Sequence, residues 1–140
     1  MKITALVILS ILATAANAEQ YLCVADAATG FYFEDGKWIS TKFRTNSSKY
    51  IIRRFKEGEY FSTEAKPYGV FPLGKKAAKY SCYGPNPPEV RNFNCDGGFG
   101  EFLFSPKSGR YLRTYTVGYY EGVDTNKNSP QIEIGKCSEI

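Results

Sequence analysis

The chain has 140 residues, a formal net charge of +4, four cysteines and no histidine. The missing imidazole excludes catalytic triads built on histidine and zinc sites that depend on histidine ligands. A net charge this small does not require a polyanionic partner, so we expect no nucleic-acid binding.

The first 18 residues are typical of a secretory signal peptide. Lys2 precedes an apolar run over residues 3–13, and Ala16-Asn17-Ala18 forms a small-residue cleavage site. We therefore expect cleavage near Ala18 and export of residues 19–140, as a single domain, to the periplasm or beyond. No later segment has the roughly 20 apolar residues of a membrane helix, so we expect a chain that does not span a membrane.

Short β-prone runs separated by turn residues make up the first half of the domain. Tyr21-Leu22-Cys23-Val24-Ala25 predicts a first strand that ends before a turn at Thr29-Gly30. Asp35-Gly36 lies between two aromatic runs and predicts a hairpin over residues 31–43. Further strands are predicted over the ranges 49–55 and 68–71, with at most one helical turn over 75–78.

The second half begins with two predicted strands over residues 79–83 and 91–96. A loop containing Gly84-Pro85-Asn86-Pro87-Pro88 joins them. Both strands end at this loop, because its prolines cannot donate to a strand ladder. The next strand is predicted over residues 99–105, with Phe102 and Phe104 on one face and Leu103 on the other.

The longest strand is predicted over residues 110–120, and the last over residues 131–137. In the last strand we expect Ile132 and Ile134 to face inward and Glu133 to face outward. About eight short strands without a convincing helix predict an all-β fold, a small single-domain antiparallel barrel or sandwich.

Four cysteines in an exported chain of this length predict two disulfides, with three possible pairings. In a closed up-and-down barrel the first and last strands are neighbours, so Cys23 would meet Cys137 and leave Cys82 for Cys95. None of the four has C-x-x-C spacing. We therefore expect no metal site made of cysteines, no thiol catalysis and no cofactor.

A pair of carboxylates is one route to catalysis without histidine, as in glycoside hydrolysis. Asp96, Glu101 and Glu133 are the candidates. An acid that alternates with apolar residues in a strand usually lies on the solvated face, however. We therefore expect no catalytic residue, and a carboxylate-based glycan hydrolase stays as a second alternative.

A basic and aromatic cluster over residues 49–56 includes Arg53 and Arg54. Such a surface could bind a phosphate, an acidic glycan or an acidic protein, or it could protect an edge strand from pairing with another chain. Because Arg53 and Arg54 are consecutive, they point to opposite faces of a regular strand, and one faces inward or lies at a strand end.

A stripe of tyrosines surrounds one arginine in the predicted strand 110–120. Alternation places Tyr111, Arg113, Tyr115 and Tyr119 on one face. Two interpretations stay open, since the stripe could belong to the core or could line a ligand pocket or a protein-binding face.

Several motifs resemble those of known groups. The elements C-V-A-D-x-x-T-G-F from Cys23, F-x-F-S-x-x-S-G-R-Y from Phe102 and P-Q-I-E-I-G-K-C-S from Pro130 resemble small uncharacterised exported proteins of proteobacteria, which have no assigned activity. The element S-G-R-Y from Ser108, with an aromatic strand and a late cysteine after it, is similar to the periplasmic C-type lysozyme inhibitors. This second resemblance implies a small disulfide-bonded β-barrel.

In the inhibitor family a serine and a lysine near such loops enter the lysozyme cleft. Ser108 matches that serine, whereas Val117 precedes Gly118 where the family has its lysine. We interpret the chain as a monomeric, non-catalytic binding protein for an envelope glycan or a partner protein. Inhibition of a cell-wall hydrolase such as lysozyme is the alternative, with Lys107, Ser108 and Arg110 as contact residues.

Overall fold

The computed structural model describes residues 19–84 and 92–140. The expected signal peptide, most of the expected proline-rich loop and the start of the strand after it lie outside the described residues. The strands in the described part are β1 Tyr21–Glu34, β2 Lys37–Phe43, β3 Lys49–Arg54, β4 Tyr68–Pro72, β5 Tyr80–Cys82, β6 Phe93–Gly97, β7 Gly100–Ser105, β8 Arg110–Tyr115 and β9 Gln131–Glu139. Two short 3-10 helices, Tyr119–Glu121 and Asn126–Asn128, connect β8 to β9.

The strands form one antiparallel sheet in the order β2-β1-β3-β4-β5-β6-β7-β8-β9, and β1 also pairs with β9. This last pairing closes eight strands into a barrel and leaves β2 as an extra strand outside it. The predicted all-β, barrel-like fold is therefore confirmed. Within the described ranges, no helix is long and apolar enough to cross a membrane.

Both predicted disulfides are confirmed. Cys23 on β1 lies directly opposite Cys137 on β9, so this bridge joins the two strands that close the barrel. Cys82 on β5 lies directly opposite Cys95 on β6 and joins consecutive strands. Two disulfides in one small domain indicate an oxidising, extracellular environment.

Strand β1 does not end before Thr29-Gly30, so the turn expected there is wrong. The strand continues to Glu34, and a register shift between Ala25 and Ala27 marks a β-bulge against β9. A bulge lets a barrel strand bend without ending. The second half of β1 pairs with β2, and the hairpin predicted at Asp35-Gly36 is confirmed. Both turn residues have positive φ, 49° and 74°, as in a type I′ turn.

Strand β8 is shorter than predicted, because it ends at Tyr115 and not at residue 120. Gly118 has a φ of 104°, and a side chain there would collide with the backbone of Asn128. The chain therefore turns at Gly118 and packs against the segment that leads into β9. The helical turn considered for residues 75–78 is also absent, since Lys76 and Ala77 form a bend and the residues on either side are irregular.

Aromatic rings fill the half of the barrel that holds the start of β8. Tyr21 packs edge-on against Phe104 at 4.8 Å between ring centroids, and Tyr68 packs against Phe93 at 5.2 Å. Phe102 and Phe104 both face inward, as predicted, and are fully buried. Burial of each such ring contributes about 2–3 kcal/mol to folding.

The inward face of β9 is the reverse of the predicted one. Glu133 is only 1% exposed inside the barrel, whereas Ile132 and Ile134 are 49% and 50% exposed outside it. Cys137 and Glu133 lie on the same face of β9, because they are an even number of residues apart. The disulfide from Cys137 to Cys23 fixes this face as the inner one. The expectation that Glu133 faces solvent is therefore wrong.

Candidate functional site

The barrel encloses an ion pair. Arg113 on β8 and Glu133 on β9 are direct cross-strand partners, and within the described residues they are the buried charged side chains. Arg113 Nε donates to Glu133 Oε1 at 3.3 Å, and Arg113 Nη2 donates to Oε2 at 3.5 Å. A buried charge is tolerated only with a partner and additional hydrogen bonds, so the two strands depend on each other for these residues.

Buried tyrosines complete the network around this pair. The Tyr111 hydroxyl donates to Glu133 Oε1 at 3.0 Å, and Arg113 Nη1 donates to the Tyr80 hydroxyl oxygen at 3.3 Å. Tyr50 completes the group, with its ring 6.0 Å from the Arg113 guanidinium carbon. Gly135 on β9 makes room for the network, since a side chain there would collide with the Tyr111 ring.

The tyrosines of this network hold their protons tightly. Burial raises the pKa of Tyr50 to about 12. The nearby charge of Arg113 opposes this rise, and the Glu133 carboxylate adds to it. Burial and Glu133 also raise the pKa of Tyr111, and burial raises that of Tyr80. At neutral pH these phenols are therefore neutral hydrogen-bonding groups, and Arg113 and Glu133 carry the charges.

The ion pair lies beneath an open end of the barrel, which we call the mouth. A cavity of about 420 Å³ is present there. Its lining contains three cationic residues together with aromatic rings and polar side chains: Lys79, Arg113, Lys127, Tyr32, Phe43, Tyr115, Asn126, Ser129 and Gln131. Ligand sites in proteins are typically concave and have a few converging polar groups. The mouth is concave, and polar and charged side chains outnumber the aromatic rings in its lining.

The charged side chains that line the mouth are all cations. Partial burial and the nearby charge of Arg113 lower the pKa of Lys79, and Glu133 offsets this effect only in part. Arg113 therefore acts on Lys79 more strongly than Glu133 does, although the two buried residues are paired. No acceptor among the described residues binds Lys79 Nζ, which lies 5.9 Å from the centroid of the Tyr80 ring.

Specific hydrogen bonds hold the walls of the mouth. The side-chain amide of Asn126 pairs with both the backbone N–H and the carbonyl of Phe33, each at 2.6 Å. Trp38 Nε1 donates to Asp124 at 2.9 Å, and the Tyr115 hydroxyl donates to Asn128 at 2.8 Å. The contacts of Asn126 and Asp124 fasten the segment between β8 and β9 to the β1–β2 hairpin, and that of Asn128 fastens it to β8, so the mouth has a preformed shape.

The predicted tyrosine stripe divides among three environments. Tyr111 and Arg113 lie in the core, Tyr115 lines the mouth, and Tyr119 is 62% exposed on a 3-10 helix beyond the end of β8. The core interpretation therefore holds for Tyr111 and Arg113, whereas a role of Tyr115 in binding stays a prediction. The inclusion of Tyr119 on the same face is wrong, because β8 ends before it.

In the basic cluster on β3, Arg53 and Arg54 each contact other side chains of the protein. Arg53 faces outward, stacks over Phe71 at 3.8 Å and forms two 2.8 Å hydrogen bonds with Glu59. Arg54 takes the opposite, inward face at the end of β3, with its guanidinium 5.3 Å from the Tyr68 ring centroid. The two arginines therefore point to opposite faces of β3, as predicted, and could not both contact one small ligand.

Lys107, Ser108 and Arg110 lie on the β7–β8 turn, at the end of the barrel opposite the mouth. All three are exposed. The Ser108 hydroxyl accepts from the Arg110 backbone N–H at 3.3 Å and donates to the Ser105 carbonyl at 3.4 Å. These bonds order the turn, and neither cationic side chain forms a salt bridge with a residue in the ranges 19–84 and 92–140.

The three candidate carboxylates do not meet at one site, because Glu133 is buried in the barrel and the other two lie on its surface. Asp96 and Glu101 are cross-strand partners on the outer surface, where Asp96 binds Lys66 at 2.7 Å. Glu133 is enclosed with Arg113. In residues 19–84 and 92–140, no group of acidic or cysteine side chains has the arrangement of a metal site.

Sequence reasoning missed Lys79, Lys127, Asn126 and Gln131 as mouth residues. Their positions depend on how the ends of β5, β8 and β9 meet the β1–β2 hairpin, and local sequence does not record this. A larger concavity of about 620 Å³ lies on the outer face of β7, β8 and β9, between exposed side chains such as Leu103, Leu112 and Ile134. Unlike the mouth, it holds no buried charged side chain from the described part of the chain.

Comparison with known proteins gives no assignment. The chain matches no protein-family model, no curated protein and no solved structure.

Proposed function

We propose that this protein is an exported, monomeric and non-catalytic binding protein, and that the mouth of the barrel binds a small organic anion with a ring. One observation carries the proposal. Lys79, Arg113 and Lys127 line a single cavity to which no described carboxylate contributes, and Glu133 pairs with Arg113 beneath it. A carboxylate or phosphate entering the cavity would gain charge-assisted hydrogen bonds in a partly desolvated place.

The aromatic lining supports a ring in the ligand. Tyr32, Phe43 and Tyr115 border the same cavity as the cations. A volume of about 420 Å³ lies in the range typical of sites for small molecules. An acidic sugar of the cell envelope has the anionic group, the ring and the size that such a cavity would accept.

Binding agrees better than catalysis with the positions of the acids. A glycoside hydrolase needs two carboxylates that flank one bond. Asp96 and Glu101 lie on the outer surface, and Glu133 is paired with Arg113 in the interior. The signal-like residues 1–18 and the two disulfides support cleavage near Ala18 and release to the periplasm or beyond.

Calorimetric titration of oxidised residues 19–140 tests the proposal. The ligands are glucuronate and benzoate, with glucose and benzyl alcohol as neutral counterparts of similar size. We expect both anions to bind, both neutral compounds to fail, and added salt to weaken the anions. Lys79→Gln should weaken anion binding about tenfold, since one charge-assisted contact contributes about 1.4 kcal/mol.

Lys75→Gln is the matched control. Lys75 precedes Lys79 on the same exposed segment, and it does not line the mouth cavity. Equal weakening by both substitutions would show that the response reflects overall charge and would contradict a site at the mouth. Failure of both anions to bind at millimolar concentration would also contradict it.

Inhibition of a cell-wall hydrolase is the second candidate function. The observation that favours it is the ordered β7–β8 turn, which presents exposed Lys107 and Arg110 on either side of Ser108. The resemblance of S-G-R-Y to the periplasmic C-type lysozyme inhibitors supports the same turn. A lysozyme activity assay with the wild type and with Lys107→Ala plus Ser108→Ala tests this candidate. Lysozyme unaffected by the wild-type protein, or equally inhibited by both proteins, would remove it.

A further inference from the structure

Strand β2 forms an open edge of the sheet. In the described part of the chain it pairs only with β1, whereas the barrel strands have partners on both sides. The hydrogen bonds of β1 show which groups of β2 point away from the sheet. Phe31 N donates to the Pro130 carbonyl, on the side of β1 opposite β2. In an antiparallel ladder the cross-strand partner of Phe31 then directs its own backbone groups away from β1.

That partner is Ser40, and the same rule applies at alternate positions along β2. Phe33 N also bonds on the far side, to Asn126, so its partner Trp38 points outward in the same way. Lys42 follows by alternation. Within residues 19–84 and 92–140, the N–H groups of these three residues have no acceptor, and their carbonyls receive only a 3.5 Å contact from the Thr41 hydroxyl to Lys42.

An aromatic groove borders this edge. It is lined by Phe31, Trp38, Thr116, Tyr119, Tyr120 and Pro130, and its volume is about 410 Å³. Tyr119 stands edge-on to Trp38 at 5.7 Å between ring centroids, and Tyr119 and Tyr120 are 62% and 72% exposed. Side chains that alternate along an added strand would meet this groove on the face that carries Trp38.

The edge is positively charged. Lys37 and Lys42 on β2, Arg44 in the loop after it and Lys49 at the start of β3 carry four positive charges. Glu34 and Asp35 before β2 carry two negative charges, and no acidic residue occurs between Asp35 and Glu57. None of these four cations forms a salt bridge with a described residue. A second copy of the chain on this edge would bring the same charges together, whereas an acidic segment would neutralise them.

We propose that β2 binds an extended acidic segment of a partner protein by strand addition. The backbone groups of Trp38, Ser40 and Lys42 would pair with the segment, the aromatic groove would take an apolar side chain, and the lysines would contact its carboxylates. The aromatic groove and the mouth have different lining residues, and Trp38 and Tyr32 lie on opposite faces of the β1–β2 hairpin.

The experiment uses Trp38 as the reporter, since it is the single tryptophan of the chain. An acetylated peptide that alternates glutamate and valine around one central phenylalanine is titrated while Trp38 fluorescence is recorded. We expect saturable binding, and at least about tenfold weaker binding when the peptide is N-methylated at the residues that pair with β2. Methylation at the other residues should leave the affinity unchanged.

Ser40→Pro tests the edge on the protein side. Proline removes an N–H that serves no bond within the described sheet, so the fold should persist while peptide affinity falls at least about tenfold. Ser40→Ala keeps the N–H and should bind as the wild type does. Lys42→Glu should lower affinity for the acidic peptide and raise it for a peptide with lysine in place of glutamate.

Three results would overturn the proposal. The first is equal affinity for peptides methylated on either set of residues, a comparison that needs no protein variant. The second is equal binding by Ser40→Pro and Ser40→Ala. The third is concentration-dependent self-association that Ser40→Pro abolishes, which would show that a second copy occupies the edge. None of these results bears on anion binding at the mouth.

Discussion

Glu133 on β9 lies directly opposite Arg113 on β8, and the carboxylate accepts a 3.3 Å hydrogen bond from Arg113 Nε inside the barrel. The pair joins the strand that lines one side of the mouth to the strand that closes the barrel against β1. It therefore links the stability of the fold to the charge that the mouth presents.

Replacing Glu133 with glutamine should strongly destabilise the protein. The substitution leaves the Arg113 charge buried without its partner, and breaking a buried pair in this way typically costs about 3–5 kcal/mol. Urea unfolding of oxidised residues 19–140 measures the change in the free energy of unfolding. Glu101→Gln, at an exposed position on β7, should change it by less than about 0.5 kcal/mol.

The double substitution Arg113→Met with Glu133→Leu distinguishes loss of charge balance from loss of packing. It removes both charges together, so it should be more stable than Glu133→Gln alone. A double variant that is less stable than the single one would contradict the view that the unpaired charge is the main cost.

Stability should fall at alkaline pH because of Tyr50. In the folded barrel the pKa of Tyr50 is raised to about 12, while in an unfolded chain a tyrosine ionises near 10. The unfolded state therefore releases its proton first, and the contribution of Tyr50 is complete below pH 10 and lost as pH rises toward 12. Thermal unfolding between pH 9 and 12 should show a shallower decline for Tyr50→Phe than for the wild type.

The exposed residue Tyr120 supplies the control for this measurement. Tyr120→Phe should leave the alkaline decline unchanged, because its side chain is 72% exposed. A decline of the same steepness in Tyr50→Phe and in the wild type would show that Tyr50 is not the cause.

Acid should remove a different contribution, that of Glu59. The hydrogen bonds from Arg53 and from the Lys56 backbone N–H lower the pKa of Glu59 from 4.5 to about 2. The folded state thus favours the ionised carboxylate, so this contribution is present above pH 4.5 and is lost as pH falls toward 2. In Glu59→Gln the thermal midpoint should depend less on pH over that interval than it does in the wild type.

Glu57→Gln is the matched control in the same turn, since Glu57 is also exposed and forms no salt bridge in the described structure. The Glu57 variant should retain the acid dependence of the wild type. An unchanged acid dependence in Glu59→Gln would contradict the assignment.

The two disulfides should contribute unequally. Cys23–Cys137 joins residues 114 positions apart, whereas Cys82–Cys95 joins residues 13 apart. The loop-entropy estimate gives a little under 5 kcal/mol for the long loop and about 3 kcal/mol for the short one. Replacing both cysteines of a bridge with serine should therefore lower the thermal midpoint more for the terminal bridge. Equal losses would contradict this order.

The sequence contains enough to predict the barrel and its bridges, because these depend on strand order. Alternating aromatic residues identify the inward faces of β7, and a closed barrel places Cys23 next to Cys137. The face of β9 was mispredicted because hydrophobicity favours Ile132 and Ile134 as inward residues. Glu133 lies on the same strand face as Cys137, and the bridge to Cys23 requires Cys137 to face inward. This relationship corrects the prediction.

The mouth could not be predicted in the same way. Lys79, Gln131 and Asn126 come from chain segments far apart in sequence, and the bulge near Asp26 together with the turn at Gly118 decides that they meet. Neither feature follows from local propensity. Arg113 and Tyr115 were identified because they share one strand, yet only the structure separates the core residue from the one at the mouth.

The pKa of Lys79 tests the central claim most directly. NMR titration of the lysine side chains, with and without saturating glucuronate, measures it, and Lys79→Gln identifies the Lys79 signal. The account predicts that the pKa of Lys79 is below 10.5 in the free protein and rises when the anion binds. A Lys79 pKa that does not respond to the anion would contradict a binding site at the mouth of the barrel.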